Sequence, residues 1–177
     1  MALRPQLTHM GFYSSKLDEL ERFYVETVGL VVTDRGRVPR LNNTRIVFLS
    51  ASKESHHQVV LIEGEVHGPS RIDQISFKVG SLAELRAVHD KLRAADAPVR
   101  PVSHGNAWSV YSKDPEGNGL EFYLDSPWQV AQPRGEPLDL SLSDEEIHRR
   151  TESALRAEPT MQPRETWAEA FARRLSE

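Results

Sequence analysis

The chain contains no cysteine among its 177 residues. This absence excludes disulfides, thiolate metal sites and cysteine nucleophiles, so any metal must be held by histidine, carboxylate or amide groups. The sequence also lacks a basic excess, and its formal net charge of −4 argues against a nucleic-acid partner. No stretch approaches the roughly 18 consecutive apolar residues of a membrane span, and the start shows no signal-peptide pattern. These absences predict a soluble, cytoplasmic protein.

The first two thirds of the sequence contain an internal repeat. The segment Leu7–Phe12 aligns with Ile72–Phe77, and the same offset in sequence relates Leu17 to Leu82. Each copy opens with a segment of alternating polarity that predicts a β-strand, and an amphipathic segment that predicts a helix follows it. The constant offset indicates two copies of one structural unit.

Local signals give the bounds of the predicted helices and strands. The first helix has a buried face that includes Tyr24 and Val28, and Gly29 is predicted to end it. The second helix begins at a capping box formed by Ser81 and Glu84. The strands predicted after the two helices are 30–38, 44–52 and 57–64 in the first copy and 98–104, 108–113 and 119–125 in the second. Both copies therefore have the predicted order strand, helix, strand, strand, strand.

These elements predict an α+β fold. One copy alone buries little surface, so the two copies are expected to share one sheet system. We predict two tandem βαβββ modules, residues 1–66 and 67–126, that form a cup-shaped mixed sheet. Residues 127–177 are predicted to contain a linker, at 132–137, and a helical C-terminal extension.

The C-terminal extension is predicted to contain two helices. Ser143 and Glu146 form a second capping box, which predicts a helix that runs to about Ala157. The last helix carries an apolar stripe at four-residue spacing, made of Trp167, Phe171 and Leu175. Such a stripe docks on the protein's own core or on a second copy, and we predict a homodimer. A lid over the site is the alternative.

The repeat also gives a first hypothesis for a site. It places His9 and Gln74 at matching positions, each three residues before a phenylalanine. Residues three apart in a strand point to opposite faces, so phenylalanines packed beneath the helices would leave His9 and Gln74 facing one cavity. The alternative is that His9 only forms a hydrogen bond to a neighbouring backbone group.

A second pattern lies between Val102 and Glu121. Its fixed positions are Val102, His104, Val110, Tyr111, Asp114, Pro115, Gly117 and Glu121. This spacing resembles the signature of extradiol ring-cleaving dioxygenases. More widely, residues 6–125 resemble the vicinal-oxygen-chelate superfamily, with a module start at Thr8–Phe12 and a module end at Asp114–Phe122. That superfamily includes extradiol dioxygenases, glyoxalase I, fosfomycin-resistance proteins and bleomycin-binding proteins.

The resemblance implies a role for each matching residue. His9 would be the metal ligand on the first strand, Glu121 the carboxylate ligand on the last, and Gln74 the ligand between them. His104 would be an acid or base that takes a catechol proton, and Tyr111 would form a hydrogen bond to the substrate oxygen on the metal. Ordinary structural roles, as a loop histidine and a strand aromatic, stay open for these last two residues.

One position departs from the dioxygenase pattern. Gln74 stands where those enzymes carry a second histidine, and a neutral amide oxygen is a weaker Fe(II) ligand than imidazole. Fe(II) is the expected metal, with Mn, Zn, Ni or Co as alternatives and a metal-free site also open. The offset of the repeat relates His56 to Glu121, which it would face if the offset held, and His57 is as close. An ordinary edge-strand pair of histidines is the favoured interpretation.

The sequence therefore predicts a metal-dependent extradiol-type dioxygenase that acts on a catecholic or other metal-chelating aromatic substrate. A glyoxalase-type isomerase or lyase is one alternative. A non-catalytic small-molecule-binding protein of the bleomycin-resistance type is another. Gln74 is the residue on which the three hypotheses divide. Neither a glycine-rich phosphate loop nor a Gly-x-Ser-x-Gly elbow is present, which removes nucleotide and serine-hydrolase chemistry.

Overall fold

The computed structural model describes residues 9–38, 42–52, 57–65, 74–131 and 134–176. The chain divides into two compact units. The first comprises the residues up to Arg71 together with the loop Asp114–Asn118, and the second comprises Ile72–Lys113 and the residues from Gly119 onward. Helices and strands are mixed in both units, which confirms the predicted α+β class.

The first unit contains the first predicted copy of the repeat. In chain order its elements are β1 (Met10–Ser14), α1 (Leu17–Phe23), a π-helical segment (Tyr24–Val28), β2 (Val31–Val38), β3 (Thr44–Ser50) and β4 (Val59–Glu63). The strands form a sheet in the order β1-β4-β3-β2. Strands β1 and β4 are parallel, and the other neighbouring pairs are antiparallel. The order strand, helix, strand, strand, strand agrees with the sequence prediction.

The first helix changes its winding before it ends. Leu17 and Leu20 are buried in α1, and the buried Tyr24 begins the π-helical segment. Gly29 ends this segment with a φ of 89°, a left-handed conformation that glycine adopts without steric cost, and its N–H donates to the Tyr24 carbonyl. The stop at Gly29 is as predicted, whereas the apolar spacing gives no sign of the wider π winding.

The second unit repeats this order. Its first elements are β5 (Ile75–Lys78), α2 (Leu82–Ala94), β6 (Arg100–Ser103), β7 (Ala107–Lys113) and β8 (Gly119–Asp125). The sheet order β5-β8-β7-β6 matches that of the first unit, with β5 parallel to β8. The Ser81 hydroxyl accepts from the Glu84 N–H at 3.1 Å, as the capping box predicts. The Glu84 carboxylate reaches one residue further back and accepts from the Gly80 N–H at 2.7 Å.

Strand pairing relates the two copies residue by residue. In the parallel pairs, Met10 lies beside Val59 and Ile75 lies beside Leu120. Met10 and Ile75 keep the offset of the repeat, whereas Val59 and Leu120 are closer together in sequence. The offset shrinks because the connections between strands are shorter in the second copy, so a constant offset misaligns the last strands.

The C-terminal residues belong to the second unit. Their elements are β9 (Trp128–Gln129), β10 (Glu136–Pro137), α3 (Asp144–Leu155), β11 (Gln162–Pro163) and α4 (Arg164–Ser176). The prediction of a linker over 132–137 is corrected at its end, because β10 pairs with the edge strand β6. Proline is tolerated at this position because an edge strand can leave one side unbonded.

Helix α3 begins where its capping box predicts, and it packs on the second sheet. The Ser143 hydroxyl accepts from the Glu146 N–H at 3.2 Å. The indole N–H of the buried Trp108 in β7 donates to the Thr151 hydroxyl at 2.9 Å, and Leu155 is fully buried. The side chains at 171 and 175 lie outside the described residues, so the apolar stripe on α4 and the homodimer stay predictions. No helix in the described ranges has the length and apolarity needed to span a membrane.

Candidate metal and substrate site

Four polar residues form a row across one face of the second sheet. Strand pairing sets Ser76 opposite Glu121, Glu121 opposite Tyr111, and Tyr111 opposite Arg100. Directly opposite residues lie on the same face of a sheet, and residues two apart on one strand share that face. The opposite face is apolar, because Phe77 stacks on Phe122 at 5.3 Å between ring centres. Gln74 thus lies on the polar face, as its spacing from Phe77 predicts.

Gln74 and Glu121 are in direct contact. The half-buried Glu121 carboxylate accepts from the Gln74 amide at 2.9 Å through Oε2. The same oxygen accepts from the Ser76 hydroxyl at 2.7 Å, and Oε1 accepts from the Ser109 hydroxyl at 2.9 Å. Two of the three residues predicted to bind metal are therefore neighbours. Ser76 and Ser109 together orient the Glu121 carboxylate.

The chemistry of this pair fits a divalent cation. Carboxylate and amide oxygens are ligands that hard divalent cations accept, and here they belong to neighbouring side chains. The amide would have to turn so that its oxygen faces the ion, and the orientation of an amide is set by its hydrogen bonds. Within the described ranges, no three His, Asp or Glu side chains cluster as a metal site. The predicted set of His9, Gln74 and Glu121 contains only two residues of these types, so it is not a cluster of this kind.

His9 lies in the first unit, beside another histidine. Its ring centre is 4.5 Å from that of His57, which in turn lies 5.2 Å from the ring centre of Phe48 in β3. Gln74 and Glu121 belong to the second unit, so the meeting of His9 with that pair stays a prediction.

The position in β4 that corresponds to Glu121 holds an apolar residue. Strand pairing aligns Glu121 with Val60, because the offset is shorter at the last strands than at the first. The alignment of Glu121 with His56 assumes one constant offset throughout and is not the one that the strands adopt. His56 itself lies outside the described residues.

His104 and Tyr111 form a hydrogen-bonded pair next to Glu121. The His104 Nε2 atom lies 2.8 Å from the Tyr111 hydroxyl, and its Nδ1 atom lies 2.5 Å from the carbonyl oxygen of Arg134. A carbonyl only accepts, so Nδ1 carries a hydrogen and the Nε2 atom of the neutral ring accepts from Tyr111. Burial, followed by the hydrogen bond to Glu121, raises the pKa of Tyr111 to about 12. Tyr111 is therefore a neutral phenol between an imidazole and a carboxylate.

The tyrosine hydroxyl has one hydrogen and two possible acceptors. With neutral His104 it can donate to Nε2, and with protonated His104 it receives a hydrogen bond and can donate to Glu121 instead. A proton arriving at His104 thus redirects the Tyr111 hydroxyl towards the carboxylate. This arrangement can accept a proton from a bound molecule without leaving a polar group unsatisfied.

The second half of the sequence signature has a structural role in the first unit. The buried Asp114 carboxylate accepts from the backbone N–H groups of Glu116 and Asn118, both at 2.9 Å. Burial raises the pKa of Asp114, and its hydrogen bonds to Asn118 and Glu116 oppose that rise. The Glu116 carboxylate then accepts from the N–H and hydroxyl of Ser15, both at 2.7 Å, just before α1. The loop therefore secures the start of α1, which the signature alone does not indicate.

Three residues of the polar face are missed by the sequence patterns. Ser76 and Ser109 contact Glu121, and Arg100 places its guanidinium carbon 4.8 Å from the ring centre of Tyr111. None of them belongs to the signature. The period of two along a strand could have found the two serines, since Ser76 lies two residues after Gln74 and Ser109 two before Tyr111.

Comparison with protein families places the chain. Residues 6–122 match the model of the Glyoxalase/Bleomycin resistance protein/Dioxygenase superfamily. The chain belongs to this superfamily. The predicted resemblance is thereby confirmed, and the superfamily match ends just after Glu121.

Two curated proteins that are similar to the chain are named as dioxygenases of aromatic diols. Biphenyl-2,3-diol 1,2-dioxygenase 3 of Rhodococcus globerulus is 28% identical over 134 residues, which are 71% of this chain and 66% of that protein. Catechol-2,3-dioxygenase of Bacillus subtilis (strain 168) is 28% identical over 131 residues, which are 69% of this chain and 44% of that protein. The chain thus spans slightly less than two thirds of the first relative and less than half of the second.

Solved structures share the superfamily fold. A glyoxylase/bleomycin resistance protein/dioxygenase domain from Frankia sp. EAN1pec has a TM-score of 0.60 at 22% identity and covers 70% of this chain and 100% of its own. The fosfomycin resistance protein FosX from Listeria monocytogenes, complexed with Mn(II) and sulfate, has a TM-score of 0.56 at 13% identity and covers 70% and 95%. At these identities the likeness shows the fold alone.

The superfamily match leaves out the C-terminal extension. Arg134, whose carbonyl binds His104, lies beyond residue 122. A part of the chain outside the shared superfamily fold therefore contacts a residue of the candidate site.

Proposed function

We propose that the chain is a metal-dependent, extradiol-type dioxygenase that acts on a catecholic or other metal-chelating aromatic substrate. The observation that carries this proposal is that two contacting pairs, Gln74 with Glu121 and His104 with Tyr111, are adjacent, because Tyr111 lies directly opposite Glu121 in the sheet. This adjacency joins a pair of metal-binding groups to a proton acceptor. The names of the curated relatives support the same chemistry.

The metal would be held by the three kinds of ligand that the sequence offers, which are carboxylate, amide and imidazole. Glu121 would bind through its carboxylate, Gln74 through its amide oxygen, and His9 is proposed as the third ligand. We propose Fe(II), with Mn, Zn, Ni and Co as alternatives. Bound there, the ion would supply the Lewis acidity that makes a diol easier to deprotonate and the redox chemistry that oxygen insertion needs.

The residues of this chain would manage the substrate proton. A catechol loses a proton when it chelates, and we propose that the Nε2 atom of His104, which lies 2.8 Å from the Tyr111 hydroxyl, receives it. The Arg134 carbonyl keeps the other ring nitrogen protonated, which leaves Nε2 as the acceptor. Tyr111 would then donate to a substrate oxygen or to Glu121, according to the charge on His104.

Direct assay tests the proposal. The protein is loaded with Fe(II) without oxygen, mixed with catechol or biphenyl-2,3-diol in aerated buffer, and followed by the absorbance of the ring-cleaved product. We expect product formation that needs both iron and oxygen. Absence of a ring-cleaved product from every diol tested, with iron retained, would contradict the proposal.

Two substitutions test the roles of the proton-handling pair. We expect Tyr111→Phe and His104→Gln each to lower kcat by about 10²-fold or more, because each removes a group that acts on the proton. Catechol binding should change much less. His89→Gln on α2 is the matched control for His104→Gln and should leave kcat unchanged. An equal loss of kcat in all three variants would remove the proposed roles.

Gln74 favours a second candidate, a glyoxalase-type isomerase or lyase. Its neutral oxygen is a weaker ligand for Fe(II) than imidazole, and an enzyme of this type would work with Ni, Co, Zn or Mn and needs no oxygen. Activity on a chelating carbonyl substrate with these metals, without Fe and without O2, would favour this alternative. Binding of a catechol with no turnover under any metal would point instead to a small-molecule-binding protein.

A further inference from the structure

A cavity beside the metal pair is lined by two cations. Its volume is 460 Å³, within the range of small-molecule sites, and it belongs to the second unit. Gln74 and Tyr111 contribute to its wall, so it adjoins the candidate site. Arg100 and Lys113 line the same space.

The sheet register places both cations on the polar face. Arg100 lies directly opposite Tyr111, and Lys113 lies two residues after Tyr111 on the same strand. The guanidinium of Arg100 is above the Tyr111 ring, where a cation–π interaction restricts its position. The positive charge is thus held next to a residue that would touch the substrate.

Neither cation is neutralised by the described part of the protein. No carboxylate lines the cavity there, and neither Arg100 nor Lys113 forms an ion pair within the described ranges. Several arginines outside the cavity are paired, among them Arg45 with Asp18 and Arg86 with Asp144, whereas Arg22, Arg37 and Arg93 form no ion pair within the described ranges. The chain as a whole has more acidic than basic residues, 26 against 22. Unlike these arginines, Arg100 shares a cavity with a second cation and with no described carboxylate, and an anionic ligand bound there would supply the counter-charge.

We propose that Arg100 and Lys113 bind a carboxylate on the substrate, so that the preferred substrate is an aromatic diol that carries a carboxylate on its ring or on a short side chain. This inference rests on the proposed function, because it places the diol at Gln74 and Glu121 and the carboxylate at the two cations. Arg100 offers paired N–H donors that match a carboxylate, and Lys113 adds a point charge. The neighbouring cavity gives room for the ring.

A pair of ligands that differ only in charge tests the carboxylate site. The dissociation constants of 3,4-dihydroxybenzoate and of its methyl ester are measured by calorimetry with the Fe(II)-loaded protein, without oxygen. We expect the acid to bind about tenfold more tightly than the ester, and we expect added salt to reduce this preference. In Arg100→Gln/Lys113→Gln the preference should disappear while ester binding is kept.

A matched control and a third ligand separate the two proposals. Arg93→Gln removes an exposed arginine of α2 outside the cavity and should keep the preference for the acid. Equal binding of acid and ester to the unchanged protein, or an unchanged preference in the double variant, would overturn the carboxylate site even if ring cleavage is observed. Benzoate, which has no diol, should still bind weakly and need both cations. If it does so while no diol is cleaved, the carboxylate site stands and the dioxygenase proposal fails.

Discussion

The Glu121 carboxylate is the residue around which the candidate site is organised. Its two oxygens accept from Gln74, Ser76 and Ser109, so its orientation is fixed before any ligand arrives. A metal cation would replace a neutral hydrogen-bond donor at this carboxylate. Binding is then favoured because the cation and the carboxylate have opposite charges. The amide of Gln74 is the group that must turn, and its chemistry therefore sets how tightly a given metal is held.

Gln74→His is the substitution that tests this dependence. We expect the variant to bind Fe(II) about tenfold more tightly, because imidazole is a stronger ligand for this ion than an amide oxygen. The measurement is the iron retained per chain after anaerobic loading and gel filtration, followed by a competition titration with a chelator. Gln129→His in β9 is the control for a new histidine elsewhere and should leave iron binding unchanged. Unchanged iron retention in Gln74→His would show that residue 74 does not bind the metal.

The sequence predicts some residues of the candidate site and misses others. The repeat and the signature single out Gln74, Glu121, His104 and Tyr111, and the structure brings these four together in one unit. Arg100 is missed because neither pattern reaches it, although it lies opposite Tyr111 in the sheet. A motif records positions along the chain, whereas this site is built across neighbouring strands, and cross-strand register is not written in a linear spacing.

At the scale of the elements, the sequence patterns predict the helices and strands but not the contacts that the short loops make. The helices and the six strands that follow them lie within a few residues of their predicted bounds, because apolar periodicity and capping residues define them. The loop Asp114–Asn118 and the turn at Gly105 have no such periodic signal. Both are defined by what their residues touch, which is visible only in the folded chain.

Gly105 and Gly117 form a natural pair of test positions. Both have a positive φ, of 78° and 85°, so alanine is strained at either one. A Cβ at Gly105 would lie 2.8 Å from a Leu155 methyl and 2.9 Å from a Val130 methyl, whereas nothing lies within 4 Å at Gly117. We expect Gly117→Ala to lower the free energy of unfolding by about 1 kcal/mol and Gly105→Ala by about 3 kcal/mol, because overpacking adds to the strain.

Urea denaturation of the two glycine variants gives these free energies. The difference between them reports the packing of Leu155 of α3 and of Val130 on the turn, since the backbone cost is common to both. Equal losses would mean that α3 moves aside without penalty. A larger loss in Gly117→Ala would mean that its loop, which holds Asp114 and Glu116, tolerates less strain than its open surroundings indicate.

The whole chain adds to the superfamily fold a C-terminal extension that is joined to the second sheet. Arg86 of α2 donates to the carbonyl oxygens of Leu140 and Leu142, and Trp108 donates to Thr151 of α3. The sequence predicts the helices of this extension and a docking or lid role for the last one, but it predicts no contact between the extension and His104, because the resemblance to the superfamily ends at residue 125. Only the structure shows that the carbonyl oxygen of Arg134, in the extension, contacts His104 of the candidate site.

Glu158→Gln tests whether the extension supports the site. The guanidinium of Arg134 is bound to Glu158 and lies near Glu136, and its side chain is only 18% exposed. We expect loss of the Glu158 charge to loosen Arg134 and its carbonyl, so that His104 keeps its Nδ1 hydrogen less often. The expected result is a roughly threefold to tenfold lower kcat with little change in KM, because ligand binding does not need the histidine tautomer.

A spectroscopic readout and a matched variant separate this role from a general loss of stability. Nitrogen NMR of labelled histidine should show a smaller share of the Nδ1–H tautomer of His104 in Glu158→Gln, whether or not a substrate is turned over. Glu152→Gln breaks the exposed pair with Arg156 on α3 and should change neither kcat nor the tautomer. If both variants lower kcat equally, or if the tautomer of His104 is the same in Glu158→Gln as in the unchanged protein, the extension does not act through His104.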